Sequence, residues 1–146
     1  MKEFLKKQAL PQVLHFALGA SCASGVLIGS TIAIVVAIAV SWIIAIGVQV
    51  VGRVLKNKPI IDPDSRAYAV VIVVSSLIVT FQIVVISTAV SVPAVVMGLL
   101  LATLLALARE GLQLPAQRVD DLLLDIACTS LGGVVIGAVR MLLDAR

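Results

Sequence analysis

Aromatic side chains make up only 3% of this 146-residue chain, and charged side chains only 13%. An ordinary soluble domain carries about 25% charged residues and about 45–50% apolar ones. Here the apolar share is 61% and the mean hydropathy is +1.19. So few aromatics leave nothing for bases to stack on, and the formal net charge of +3 is therefore not read as affinity for nucleic acid. Trp42 and Tyr68 are the only residues of the type that favours a membrane interface. Cysteine is also scarce. Cys22 and Cys128 lie singly among small apolar residues, with no disulfide or metal-ligand spacing, and read as small buried hydrophobes. The chain has no Ser/His/Asp order, no glycine-rich phosphate loop and no cysteine cluster. No catalytic residue, cofactor or metal is expected. Asp62 and Asp64, beside Arg66 in a proline-rich turn, read as helix caps and solvated charges. Cleavage of a signal peptide is not expected either. The apolar stretch before Cys22 is short, contains His15 and runs on to Val51.

What the chain has in abundance is hydrophobic length. Two long apolar runs, residues 12–52 and 67–108, each exceed the roughly 20 residues that cross a bilayer. In water their Val/Ile content would suggest buried strands. In lipid an open sheet leaves backbone groups unpaired, so helices are expected. The first run should fold back at Gly29-Ser30-Thr31, where glycine ends a helix and Ser or Thr caps the next. The second should break at Pro93. With a last helix over about residues 120–143, the fold expected is all-α: a polytopic bundle of about five transmembrane helices, two hairpins plus a C-terminal helix, in one integral membrane domain spanning residues 1–146. Residues 1–11 read as an interfacial segment ended near Pro11. Residues 53–66 and 109–119 read as loops on the same side. Those three segments hold nine of the eleven Lys and Arg, so the positive-inside rule puts them, with the N-terminus, in the cytoplasm. The expected location is a cell membrane, crossed several times.

Small residues mark packing faces. Ser21, Gly25 and Gly29 recur at spacing four in the first helix, and Gly133 and Gly137 do so in the last. Such ridges let helix backbones approach closely, within the chain or in a homo-oligomer. Gln82, near the middle of a span, reads as an interhelical hydrogen-bonding residue.

The polar residues converge on Arg109 to Gly137. Glu110 and Gln113 lie three apart, before Pro115. Arg118, Asp121 and Asp125 follow at spacings of three and four, which puts them on one helical face. Asp120 and Asp121 suit a helix N-terminus, whereas Asp125 lies deeper. His15, in the first turn of the first helix, should reach the same end of the bundle. His15, Glu110, Gln113, Arg118, Asp121 and Asp125 thus form one candidate ligand-binding cluster, since ionisable residues inside a membrane are site candidates by default.

Glu110-x-x-Gln113, then Arg118, Asp125, Thr129 and Gly132-Gly133-x-x-x-Gly137, with Leu14-His15-Phe16 near the start, resembles the pattern of VanZ-like membrane proteins. Thr129 stands where that family usually has Asn, and His15 lacks its accompanying Lys. The resemblance implies a small helical envelope protein; together with the polar cluster, the leading expectation is a non-enzymatic one with membrane lipids as partners and a lipid or headgroup at that cluster. Two other functions fit the composition. One is an oligomeric channel, transporter or holin-like pore lined by Ser75, Thr80, Gln82 and Ser87. The other is an intramembrane enzyme on a lipid-linked substrate, with His15 and Asp125 as acid and base.

Overall fold

The computed structural model describes residues 9–55, 57, 65–88, 92–111 and 119–146. Among these the chain is helical throughout, with no strand: α1 (Leu10–Ala23), α2 (Gly25–Ile28), α3 (Thr31–Leu55), α4 (Ser65–Thr88), α5 (Ala94–Gly111) and α6 (Val119–Asp144). Among the described residues, three apolar segments are long enough to cross a membrane: Leu10–Ile28, Thr31–Leu55 and Asp120–Asp144. At 1.5 Å per residue, the 25 residues of α3 extend about 37 Å, enough for roughly 30 Å of hydrocarbon. Length and hydropathy thus support three of the expected five or so spans among the described residues. α4 contributes the shorter apolar stretch Ser75–Ile86, and α5 is 18 residues long and ends in Arg109-Glu110-Gly111.

The first hairpin turns where glycine chemistry dictates. α1 and α2 form nearly one rod, with a tight turn at Ser24, whose hydroxyl and N–H both donate to the Ser21 carbonyl, at 2.7 and 3.1 Å. Gly29 then ends α2 in the left-handed region at φ +69°, a conformation that glycine adopts without a Cβ penalty. The Ser30 carbonyl accepts the Ile34 N–H and opens α3. Arg140 of α6 closes this end: its Nη1 donates to the Leu27 carbonyl at 2.7 Å, and its Nη2 pairs with Asp144 at 2.7 Å. At the other end Pro11 lies inside the first turn of α1; residues 1–8 of the expected interfacial segment lie outside the described residues. Proline is tolerated there because a first-turn N–H has no intrahelical acceptor.

The bundle is apolar outside and partly polar inside. Ile32, Ile43 and Leu55 are each at least 70% exposed, while Ser41, Gln82, Glu110 and Thr129 are at most 1% exposed. In water that arrangement would leave apolar surface uncovered and polar groups dehydrated; among lipid chains only the interior needs pairing. The pairing is specific. Gln82 Nε2 donates to the Leu101 carbonyl at 3.1 Å, and its Oε1 accepts the Trp42 indole N–H at 3.3 Å. Trp42 is thus an interior partner of Gln82 and does not serve as an interfacial anchor; the Tyr68 side chain lies outside the described residues. Both ends of the Gln82 amide are occupied, and Thr80 is exposed with its hydroxyl on the Ser76 carbonyl. Ser41 donates to Ser21 at 3.1 Å.

α5 lies at the centre, with Leu101, Ala102 and Leu105 fully buried. The glycine ridges are used inside the chain. A Cβ at Gly98 would strike the Gly133 carbonyl, and one at Gly133 the Gly98 carbonyl; one at Gly137 would strike α5 at Ala94, and one at Gly25 would strike α3 at Ala33 and Ile34.

Candidate functional site

The same close packing builds a charge cluster. On α1, Gln12, His15 and Gly19 follow at spacings three and four and share one face. On α6, Asp125, Thr129 and Gly132 do the same. Gly19 lies against the Thr129 backbone carbonyl and Gly132 against that of Phe16, with no room at either for a Cβ. This approach brings His15, one turn before Gly19, beside Asp125, one turn before Thr129. The C-terminal end of α5 supplies the third side of the cluster through Arg109 and Glu110.

His15 Nε2 lies 3.4 Å from Asp125 Oδ2, and His15 Nδ1 lies 3.9 Å from Glu110 Oε1. Arg109 Nη1 is 3.1 Å from each ring nitrogen and also pairs with Glu110 Oε1. Thr129 donates to the Asp125 carbonyl at 2.8 Å and places its oxygen 3.4 Å from His15 Nδ1. Gln12 Nε2 donates to Asp125 Oδ1 at 2.8 Å. His15 and Asp125 are each 7% exposed and Glu110 only 1%. Glu110 Oε2 and Gln12 Oε1 are buried without a hydrogen-bond partner among the described residues.

Of the six predicted site residues, the structure therefore brings together His15, Glu110 and Asp125. Asp121 is exposed in the first turn of α6, where an acid favours the helix N-terminus. It lies on Asp125's face, but one turn nearer the open end of the bundle. Gln113 and Arg118 lie outside the described residues, as do Asp62 and Asp64. Sequence reasoning missed Arg109, Gln12 and the direct part of Thr129. The Gln12–His15–Gly19 spacing is the signal that would have found the first-helix pair. Arg109 was hidden because a basic residue flanking an apolar run reads as a topology signal.

The donor atoms of His15, Glu110 and Asp125 lie within 4.8 Å of one another, and imidazole with two carboxylates is a set that divalent cations accept. Arg109 Nη1, between His15 and Glu110, supplies the positive charge at that position. The guanidinium thus offsets Glu110, one of the two carboxylates, and the chemistry of the cluster is that of charge-assisted hydrogen bonding.

One side of the cluster opens to the exterior. A groove of about 360 Å³ runs between α1 and α3, walled by Leu10, Leu14, Ala17, Leu18, Ile44, Ala45 and Val48, with Pro11, Ser21, His15 and Arg109 completing it. Its rim residues Leu10, Leu14, Ile44 and Val48 are at least 45% exposed, so the mouth lies on the apolar outer face. Glu110 and Asp125 do not line it. A second, wider hollow at the opposite end is bordered by Arg140 and Asp144, which pair with each other. No family model, no curated protein and no solved structure matches this chain.

Proposed function

We propose that the protein is a non-enzymatic, multi-pass membrane protein of the VanZ-like kind, resident in the cell envelope, that holds a membrane lipid in the α1–α3 groove with its headgroup at His15 and Arg109. In this reading all five long helices lie in the bilayer and the N-terminus is cytoplasmic. The hairpin at Gly29 then lies on the far side, and the charge cluster lies at the cytoplasmic face, where headgroups are. The observation that carries the proposal is the composition of the groove: aliphatic walls opening onto the outer face, leading to one guanidinium and one imidazole. Ligand sites combine apolar walls with a few fixed polar groups in this way. Intramembrane ionisable residues that face a cavity mark ligand paths more often than lipid-facing ones do.

A lipid profile of the detergent-extracted protein by native mass spectrometry tests this. Wild type should retain a lipid. Ile44→Trp, which fills the groove from an exposed wall position, and His15→Ala, which removes a headgroup contact, should each lose most of it while helix content by circular dichroism is unchanged. Equal retention by wild type and both folded variants would make the cluster an internal clamp and end the proposal.

One observation favours a second reading. His15 and Asp125 stand as an imidazole–carboxylate pair at 3.4 Å, the arrangement a general base uses. An enzyme of this kind would turn over the lipid-linked compound that it retains, whereas a binding protein releases it intact.

A further inference from the structure

Resting on the groove reading, we infer that the lipid carries a phosphate headgroup and that Arg109 is its principal contact. The inference comes from which charges face the groove and which stand behind it. The groove wall holds one permanently charged group, Arg109, together with the His15 ring and the Ser21 hydroxyl. The cluster's two carboxylates are both off that wall: Glu110 is 1% exposed and Asp125 is 7% exposed.

The carboxylates act as holders. Glu110 Oε1 takes Arg109 Nη1, and Asp125 Oδ2 stands 3.4 Å from His15 Nε2. Asp125 is itself fixed by Gln12 at 2.8 Å. A guanidinium has five N–H donors in a planar fork. Fixing Nη1 from behind sets the plane of that fork while Arg109 still lines the groove. A planar fork held in one orientation suits the tetrahedral oxygens of a phosphate and binds it in bidentate fashion. A cationic or neutral headgroup gains nothing comparable, because an ammonium would meet Arg109 as a like charge and a hydroxyl offers the fork one uncharged acceptor where a phosphate offers two anionic oxygens.

Ser21 lies six residues beyond His15 on α1, about 9 Å deeper at 1.5 Å per residue. The wall between them is Ala17 and Leu18. The groove therefore carries its charged and imidazole groups at one end, with an apolar wall between them and the Ser21 hydroxyl.

The test is a competition measured by native mass spectrometry on the 146-residue chain. It sets phosphatidylglycerol against diacylglycerol with the same acyl chains, and adds glycerol phosphate alone. Hydrogen bonds to a charged group contribute about 1.5–3 kcal/mol, so phosphatidylglycerol should be retained about tenfold or more over diacylglycerol. Arg109→Lys should keep part of that preference and Arg109→Gln should abolish it. Millimolar glycerol phosphate should not displace the lipid, because the apolar walls hold the chains. Equal retention of phosphatidylglycerol and diacylglycerol by wild type would overturn the phosphate inference and leave the groove reading standing. Retention of neither would overturn both. Displacement by glycerol phosphate alone would show that the cluster takes a free anion, and would also overturn the inference.

Discussion

Gly133→Leu is expected to destroy the bundle. Gly133 and Gly98 face each other so closely that a Cβ on either would overlap the other's backbone carbonyl, and at Gly133 it would also press on the Ala102 Cβ. Ala102 is fully buried in the central helix, so neither partner can move aside without separating α5 from α6. Overpacking a filled core costs about 1–3 kcal/mol and occasionally more. A leucine added where even a methyl group has no space should cost about 3 kcal/mol or more, and Gly133→Ala somewhat less. Gly47 in α3 is the matched control, since a Cβ there meets nothing within 4 Å. Gly47→Leu should leave stability unchanged or raise it slightly, because leucine favours helix over glycine. Thermal unfolding in detergent, followed by circular dichroism, compares the two. If Gly133→Leu melts with Gly47→Leu, the helices do not pack through their glycines.

Glu110→Leu should be the most damaging single change within the charge cluster. Glu110 is 1% exposed and balances Arg109, whose side chain is only 15% exposed. Removing one partner of a buried pair leaves an uncompensated charge and costs about 3–5 kcal/mol. Removing both should cost far less, because a well-packed apolar pair needs no compensation. Arg109→Met combined with Glu110→Leu should therefore recover most of the stability lost by Glu110→Leu. A double-mutant cycle reads this directly: the coupling should exceed about 2 kcal/mol, and strictly additive losses would show that the pair is not coupled. The recovered double variant is also a tool. If it folds but retains no lipid, the pair serves the site as well as the scaffold.

Much of this architecture was legible in the sequence where one residue type has one physical use. Gly29 ends a helix and Pro93 precedes one because their backbone chemistry permits little else. The meeting of His15, Glu110 and Asp125 followed from folding two long runs into hairpins and asking which polar residues reach the same end. What could not be read was pairing across long separations. Trp42 and Gln82 are 40 residues apart, and an aromatic in a membrane chain gives no hint of whether its N–H seeks an interface or an interior amide. The part of Arg109 in the cluster is not legible either, because a basic residue at the end of an apolar run serves topology, pairing or both, and composition does not separate these uses. The groove was invisible for a further reason. Its walls are ordinary Leu, Ile, Val and Ala, distinguished only by the gap that α1 and α3 leave between them.

In the proposed reading, lipid enters between α1 and α3 with its headgroup at Arg109. The most direct measurement is crosslinking with a phospholipid that carries a diazirine close to its headgroup, followed by peptide mapping. Adducts should concentrate on the segments bearing Leu14 to Leu18 and Ile44 to Val48, and excess unlabelled phosphatidylglycerol should compete them away. Adducts spread equally over other outer faces, such as Leu77 and Phe81 of α4, and insensitive to competitor would contradict it. The lipid would then be only the surrounding solvent, and the charge cluster a clamp between helices.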